Sequence, residues 1–134
     1  MRRGHLVSIE YIGKQDQIRT QLSTSIIGVL AQTLCPKIGG GRCAAYELLV
    51  VTPGIANLIR ENKTYRITSS IQTGYKHGMI LMDDSLFRLW REEKVTIEDA
   101  LAKAQSPDDL AKRIANAQKG VFDDEADVAD TAKV

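Results

Sequence analysis

Cysteine is scarce, with two in 134 residues. That is too few for a disulfide framework, and reduced thiols fit a cytosolic compartment. No apolar run approaches the ~20 residues of a membrane span. Met1, Arg2, Arg3, Gly4, His5 and Leu6 open the chain without the apolar stretch of a signal peptide. The expectation is a cytoplasmic chain with no membrane span. An excess of charge of one sign is also lacking: 18 Lys and Arg face 17 Asp and Glu, for a net charge of +1. This disfavours a strongly basic nucleic-acid binder and an acidic disordered chain alike.

Several kinds of chemistry are missing as well. A phosphate-binding loop needs glycines followed by Lys-Ser or Lys-Thr ahead of a helix. Gly39, Gly40, Gly41 and Arg42 have the glycines without that pair, and read as a turn between strands. His5, Cys35, Cys43 and His77 show none of the standard metal-ligand spacings. No Cys-His pair has an orienting partner in view. Asp83 with Asp84 and Asp108 with Asp109 fall at expected helix starts, where acids favour the dipole. Glu92 with Glu93 reads as a solvated surface. No catalytic, cofactor-binding or metal-binding residue is nominated.

What is present is an ordinary globular composition, 43% apolar and 26% charged, sufficient for one modest core. Charge is unevenly spread. Residues 121–134 hold five acids (Asp123, Asp124, Glu125, Asp127, Asp130) and Lys133, a local charge of −4, which leaves +5 on residues 1–120. We expect this acidic tail to be disordered and solvated, in preference to folding back on a basic surface. Lys63, Tyr65, Arg66, Tyr75, Lys76 and His77 interleave bases with aromatics. Near-neutral overall charge favours a protein-facing or solvated surface there over nucleic acid.

Residues 1–14 read as a short strand or a frayed lead-in through Leu6, Val7, Ile9, Tyr11 and Ile12. Ile18, Leu22, Ile26, Val29 and Leu30 recur at helical spacing and predict a long helix over 15–34, stopped by Pro36. Gly28 within it implies close packing. A strand pair follows, from a short segment ending at Ile38 to a longer one over Arg42–Val51. Pairing symmetric about Gly40 would set Cys43 opposite Lys37 and Cys35 opposite Ala45.

Beyond Thr52 the pattern is helical. Thr52 and Pro53 form a cap and first position, with Ile55, Leu58 and Ile59 on one apolar face and Asn62 as the stop. Further helices are expected over Thr68–Lys76, ending near Gly78, and over Asp83–Glu92, with Met82, Leu86, Leu89 and Trp90 on one side. Another begins at Thr96, with Asp99 completing a capping box and a face of Ile97, Ala100, Leu101 and Ala104. The last begins at Ser106 and Pro107, with Asp109 completing a second box, Leu110, Ile114 and Ala117 inward, and Gly120 as the end. Helices this short persist only by packing on one another. The fold class is therefore α+β, mostly α.

Thr52-Pro53-Gly54-Ile55-Ala56-Asn57-Leu58-Ile59-Arg60-Glu61 resembles the signature helix of the type IV pilus retraction ATPases, the PilT family, whose motif reads AIRNLIRE. Gly54 stands where the family has alanine, and Ala56 where it has arginine. Ile55, Asn57, Leu58, Ile59, Arg60 and Glu61 match. Upstream, Gln15-Asp16-Gln17-Ile18-Arg19 and Gln21-Leu22-Ser23 resemble QQxQIRxQLS. Gln32-Thr33-Leu34, Pro36 and Gly41-Arg42-Cys43-Ala44-Ala45-Tyr46-Glu47 resemble QxLxPR…GRxAAxEI. Downstream, Ile71-Gln72-Thr73-Gly74, Gly78-Met79 and Met82-Asp83 resemble IQTGxxxGMxxMD, and Ile97-Glu98-Asp99-Ala100-Leu101 continues in order. The resemblance covers residues 15–120, and residues 1–14 depart from it.

The resemblance implies four segments: a divergent lead-in over 1–14, the terminal elements of a RecA-like ATPase core over 15–51, a helical C-terminal domain over 52–120, and the acidic tail over 121–134. It implies hexameric motor rings, a partner in the pilus inner-membrane platform, a position at the inner face of that membrane, and ATP with Mg2+ as cofactors of the full-length family. The family's Walker A loop, acidic box, Walker B strand and histidine box lie upstream of the matched region and are not in this sequence. His5 is not in the family's histidine-box context. The expectation is a segment that couples ring motion to pilus disassembly without itself binding or hydrolysing ATP. Gly54, Ile55, Ala56, Asn57, Leu58, Ile59, Arg60 and Glu61 are its retraction-motif helix. The alternative is a stand-alone, non-enzymatic helical interaction module derived from that family, and a third, disfavoured reading is a small nucleic-acid binder. Either way, the first helix and the strands would expose apolar surface where a larger sheet is missing.

Overall fold

The computed structural model describes residues 4–120, with side chains from residue 14 onward. The acidic tail over 121–134 and the side chain of His5 lie outside the described residues. The first helix, α1, spans Gly4–Ser25, so the strand or lead-in expected over 1–14 is helical from Gly4. The helix expected over 15–34 ends instead at Ser25, and Gly28–Pro36 forms strand β1. The apolar spacing of Ile26, Val29 and Leu30 fits a helix. Nine consecutive cross-strand pairs with β2 (Arg42–Val50) decide the matter, as tertiary pairing routinely overrides local periodicity. Gly28 does mark a close approach, though within a strand: a Cβ there would lie 3.1 Å from Leu49 O.

The β1–β2 register runs from Gly28↔Val50 to Pro36↔Arg42. It is symmetric about Gly39, not Gly40, which brings Cys35 opposite Cys43 and corrects the expected pairing. Gly39, Gly40 and Gly41 all have positive φ (85°, 106° and 81°), a conformation that only glycine adopts cheaply in succession. The outer edge of β2 is closed by other elements. Leu48 and Ile80 exchange backbone hydrogen bonds of 2.9 and 3.1 Å, and Tyr46 N–H donates to the Oγ of fully buried Ser85 at 3.1 Å. Within the described residues the sheet has two strands, so the outer edge of β1 is unpaired.

Helix α2 (Pro53–Arg60) leads to a 3-10 turn at Thr64–Arg66 and helix α3 (Ile67–Gln72), followed by a second 3-10 turn at Tyr75–His77. The helix expected over Thr68–Lys76 is thus broken at Thr73–Gly74. Helices α4 (Met82–Arg91), α5 (Ile97–Lys103) and α6 (Pro107–Gln118) complete the bundle. At Thr96 the first bond of the capping box forms, Asp99 N–H donating to Thr96 Oγ1 at 3.1 Å, and the side chains close on each other, Thr96 Oγ1 donating to Asp99 Oδ2 at 2.9 Å. The box expected at Ser106 does not form, since Ser106 makes no side-chain cap.

Two apolar cores result. One joins Cys35 and Ala45 of the hairpin to Met82, Leu86, Leu89, Val95, Ala100, Leu110 and Ile114. The other joins Leu49 to Ile55, Ile59, Ile71 and Met79. The hairpin contributes to both, Cys35, Cys43 and Ala45 near its turn to the first and Leu49 near its base to the second. Outside them, Ile18, Leu22, Ile27, Val29, Leu30 and Leu34 lie exposed on α1, β1 and the link between them.

Candidate functional site

Helix α2 is delimited by chemistry at both ends. Thr52 Oγ1 accepts from Ile55 N–H at 3.4 Å, and Pro53 occupies the first turn. At the far end Asn62 takes a left-handed φ of 57°. Its N–H donates to Ile59 O at 3.2 Å, and Lys63 N–H donates to Leu58 O at 2.8 Å. These two bonds make a Schellman stop.

The helix has two faces. Ile55 and Ile59 are buried in the second core. Ala56 and Leu58 are half-buried, so Leu58 contributes less to the apolar face than its spacing implied. Gly54, Asn57, Arg60 and Glu61 are exposed. A Cβ on Gly54 would meet only Thr52 Oγ1, at 3.9 Å, so the position has room for the alanine of the motif. Arg60 Nη1 donates to Asn57 Oδ1 at 3.0 Å. Glu61 instead pairs with Lys63 Nζ at 2.7 Å. That hydrogen bond, reinforced by the ammonium charge, lowers the Glu61 pKa and raises that of Lys63. Arg60 and Glu61 thus take separate partners and present opposite charges in different directions. Tyr65, Arg66, Lys76 and His77 are also exposed.

Tyr75 is exposed too, at 38%, but it is tied to another element. Its Oη donates to Asp84 Oδ2 at 2.7 Å. Burial first, and then this bond, push the phenol pKa up to about 12. Asp84 also accepts from Arg113 Nη1, and the Arg113 guanidinium lies 4.1 Å from the Phe87 ring centroid. The adjacent Asp83 bridges elements as well. Its two oxygens accept from the backbone N–H of Gln105 at 2.7 Å and of Ser106 at 2.9 Å. It therefore accepts the Ser106 N–H, the bond that the box assigned to Asp109. Glu47 Oε2 accepts from Met82 N–H at 3.1 Å and Gln105 Nε2 at 3.3 Å, capping α4 in the same way. Sequence spacing missed this network because its partners lie far apart along the chain; only the acids at helix starts hinted at it.

Among the described residues, no three His, Cys, Asp or Glu side chains gather to hold a metal ion. The triple-glycine turn joins two strands, β1 and β2. No described helix is long and apolar enough to cross a membrane.

No family model matches the sequence, but individual relatives do. The type IV pilus retraction ATPase PilT of Pseudomonas aeruginosa is 45% identical over 93 residues, 69% of this chain and 27% of that protein. A twitching motility protein of Neisseria gonorrhoeae is 37% identical over 107 residues, 79% of this chain and 29% of that protein. The crystal structure of the pilus retraction motor PilT with bound ADP superposes with a TM-score of 0.64 at 39% identity, covering 74% of this chain and 27% of that one. The ATPase DotB of Legionella pneumophila, at 17% identity and a TM-score of 0.50 over 63% of this chain and 23% of that one, shares the fold alone. The chain spans under a third of the length of these relatives. Over the matched residues, the chain is similar to a fragment of the PilT family of type IV pilus retraction ATPases.

Proposed function

We propose that this chain is the C-terminal segment of a PilT-like type IV pilus retraction motor, in which α2 couples ring motion to pilus disassembly. ATP and Mg2+ are bound and ATP is hydrolysed by other parts of that motor. Its partners are the other subunits of a cytoplasmic homo-hexameric ring and the pilus inner-membrane platform. The observation that carries the reading is the division of α2. Ile55 and Ile59 anchor it in a core, while Asn57, Arg60 and Glu61 stand in solvent with no long-range bond inside the described chain. Exposed charges held on a rigid, capped helix suit contacts to something outside it.

The exposed Ile18, Leu22, Ile27, Leu30 and Leu34, on α1, β1 and the link between them, support the same reading. Large exposed apolar side chains in such number mark surfaces that another element covers, and the remainder of a larger motor would cover them.

The test is made in a full-length motor carrying this segment. Arg60→Ala and Glu61→Ala are expected to impair retraction while ATP turnover is retained. Loss of turnover in proportion to loss of retraction would overturn the coupling role. The purified chain is expected to show no ATP turnover above background, and robust hydrolysis would overturn that part of the reading.

A further inference from the structure

The hairpin register places Cys35 directly opposite Cys43. The type of pair follows from the backbone. Near the turn, Lys37 N–H donates to Gly41 O at 3.0 Å; at the base, Val51 N–H donates to Ile27 O at 2.9 Å. Hydrogen-bonded and non-hydrogen-bonded pairs alternate along an antiparallel ladder. Stepping by two from either end makes Cys35 and Cys43 a hydrogen-bonded pair. Cα atoms in such a pair lie about 5.5 Å apart, a separation at which disulfides are common.

Cys35 belongs to the first core and Cys43 packs against it. Cys43 Sγ lies 3.8 Å from Cys35 O, and both thiols are free. The three turn glycines that follow Ile38 have open space around them, so the turn can absorb a small approach of the strands. Both cysteines occupy unspecified positions of the motifs QxLxP and GRxAA, so the pair is no part of the family resemblance.

We propose that Cys35 and Cys43 are a redox-responsive thiol pair, closed to an intrachain disulfide by glutathione disulfide. Cys43 is half-buried, whereas Cys35 has no exposed surface. Burial, and next the charge of Cys43, raise the Cys35 thiol pKa. Cys43 is therefore the first nucleophile. Its thiolate attacks one sulfur of glutathione disulfide, forming a Cys43–glutathione bond and releasing one glutathione thiolate, which takes up a proton. Cys35 then gives its proton to water and attacks Cys43 Sγ, and the second glutathione leaves. Two protein thiols are oxidised to one disulfide, and glutathione disulfide is reduced to two glutathiones. The pair stays open in a reducing glutathione pool and closes as that pool becomes oxidised. When closed, it locks the register of the hairpin tip, where Ile38 N–H reaches Lys94 O at 2.9 Å.

The full chain is incubated with glutathione disulfide, quenched in acid at intervals, digested and analysed by mass spectrometry. Expected is an early glutathione adduct on Cys43, followed by a peptide linking Cys35 to Cys43 and a chain lighter by two hydrogens. Cys35→Ala is expected to stop at the Cys43 adduct. Cys43→Ala is expected to leave Cys35 unmodified until denaturant is added. Should either variant fail to fold, the wild-type time course still reports the order of attack. Two unmodified thiols in the folded wild type, a first adduct on Cys35, or linkage only between chains would each overturn the proposal.

Discussion

Met79 occupies the space that a side chain on Gly74 would need. A Cβ at Gly74 would fall 2.5 Å from Met79 Sδ and 2.9 Å from Ser70 O. Gly74 has a φ of −92°, open to any residue, so packing and not backbone conformation demands the glycine. Met79 is buried in the core that also anchors α2 through Ile55 and Ile59, and the Ser70 carbonyl belongs to the helix just before. Gly74→Ala is expected to destabilise the chain by about 1–3 kcal/mol, read as a lower urea midpoint. Gly54→Ala is the control. Its nearest neighbour would be 3.9 Å away, and it is expected to be neutral or stabilising by up to about 1 kcal/mol.

Tyr75 should give the fold an alkaline limit. Its protonated Oη donates to Asp84, and its pKa stands at about 12 against an ordinary 10.0. The folded state therefore holds this proton more tightly than the unfolded state does. The stability this confers is complete below pH 10 and is lost as pH rises through about 12. Denaturation midpoints followed across that range are expected to fall more steeply for the native chain than for Tyr75→Phe. Parallel curves would show that the phenol proton contributes nothing. An ultraviolet titration of the native chain is expected to show a tyrosine ionising near pH 12 that is missing from Tyr75→Phe.

Much of the helical part was legible because its signals are local. Thr52-Pro53, the Thr96–Asp99 box, Asn62 and Gly120 act within a few residues, and each sits at a helix end as its chemistry dictates. Of the motif helix, the buried Ile55 and Ile59 and the exposed Arg60 and Glu61 were legible from spacing alone. What failed depended on distant residues. Val29 and Leu30 continue a helical stripe on paper, yet pair with Leu49 and Leu48 in the sheet. A one-residue error in the centre of the turn moved Cys35 away from Cys43, because antiparallel register amplifies a shift of centre into a two-residue shift of partner. Asp83 looked like a dipole-favouring acid of its own helix, but its oxygens serve the start of another one 22 and 23 residues on.

Glu93 ends α4 at a local cost. Its φ is 55°, and its N–H and that of Lys94 donate to Trp90 O and Leu89 O at 2.9 Å each. This is the geometry in which glycine is usual. A glutamate there pays the Cβ penalty of the left-handed region. Glu93→Gly is expected to raise stability by about 0.5–1 kcal/mol, measured by thermal or chemical denaturation. Glu93→Val should do the opposite, since branching at Cβ worsens the same clash. If both variants leave the midpoint where it was, the helix stop is not strained.

The two faces of α2 should separate stability from function. Ile55 is 2% exposed, and Ile55→Ala is expected to cost about 2–5 kcal/mol through lost burial and the cavity left behind. Arg60 and Glu61 make only local bonds, Arg60 to Asn57 and Glu61 to Lys63, all on the surface. Exposed pairs of this kind contribute little, so Arg60→Ala and Glu61→Ala are each expected to change stability by less than about 0.5 kcal/mol. That flatness makes the retraction assay interpretable. A variant that folds as well as the native chain, keeps the ATP turnover of the full motor and still fails to retract has lost a contact beyond its own core. If Arg60→Ala instead lowers the denaturation midpoint as far as Ile55→Ala does, the polar face is structural, and its part in coupling loses its support.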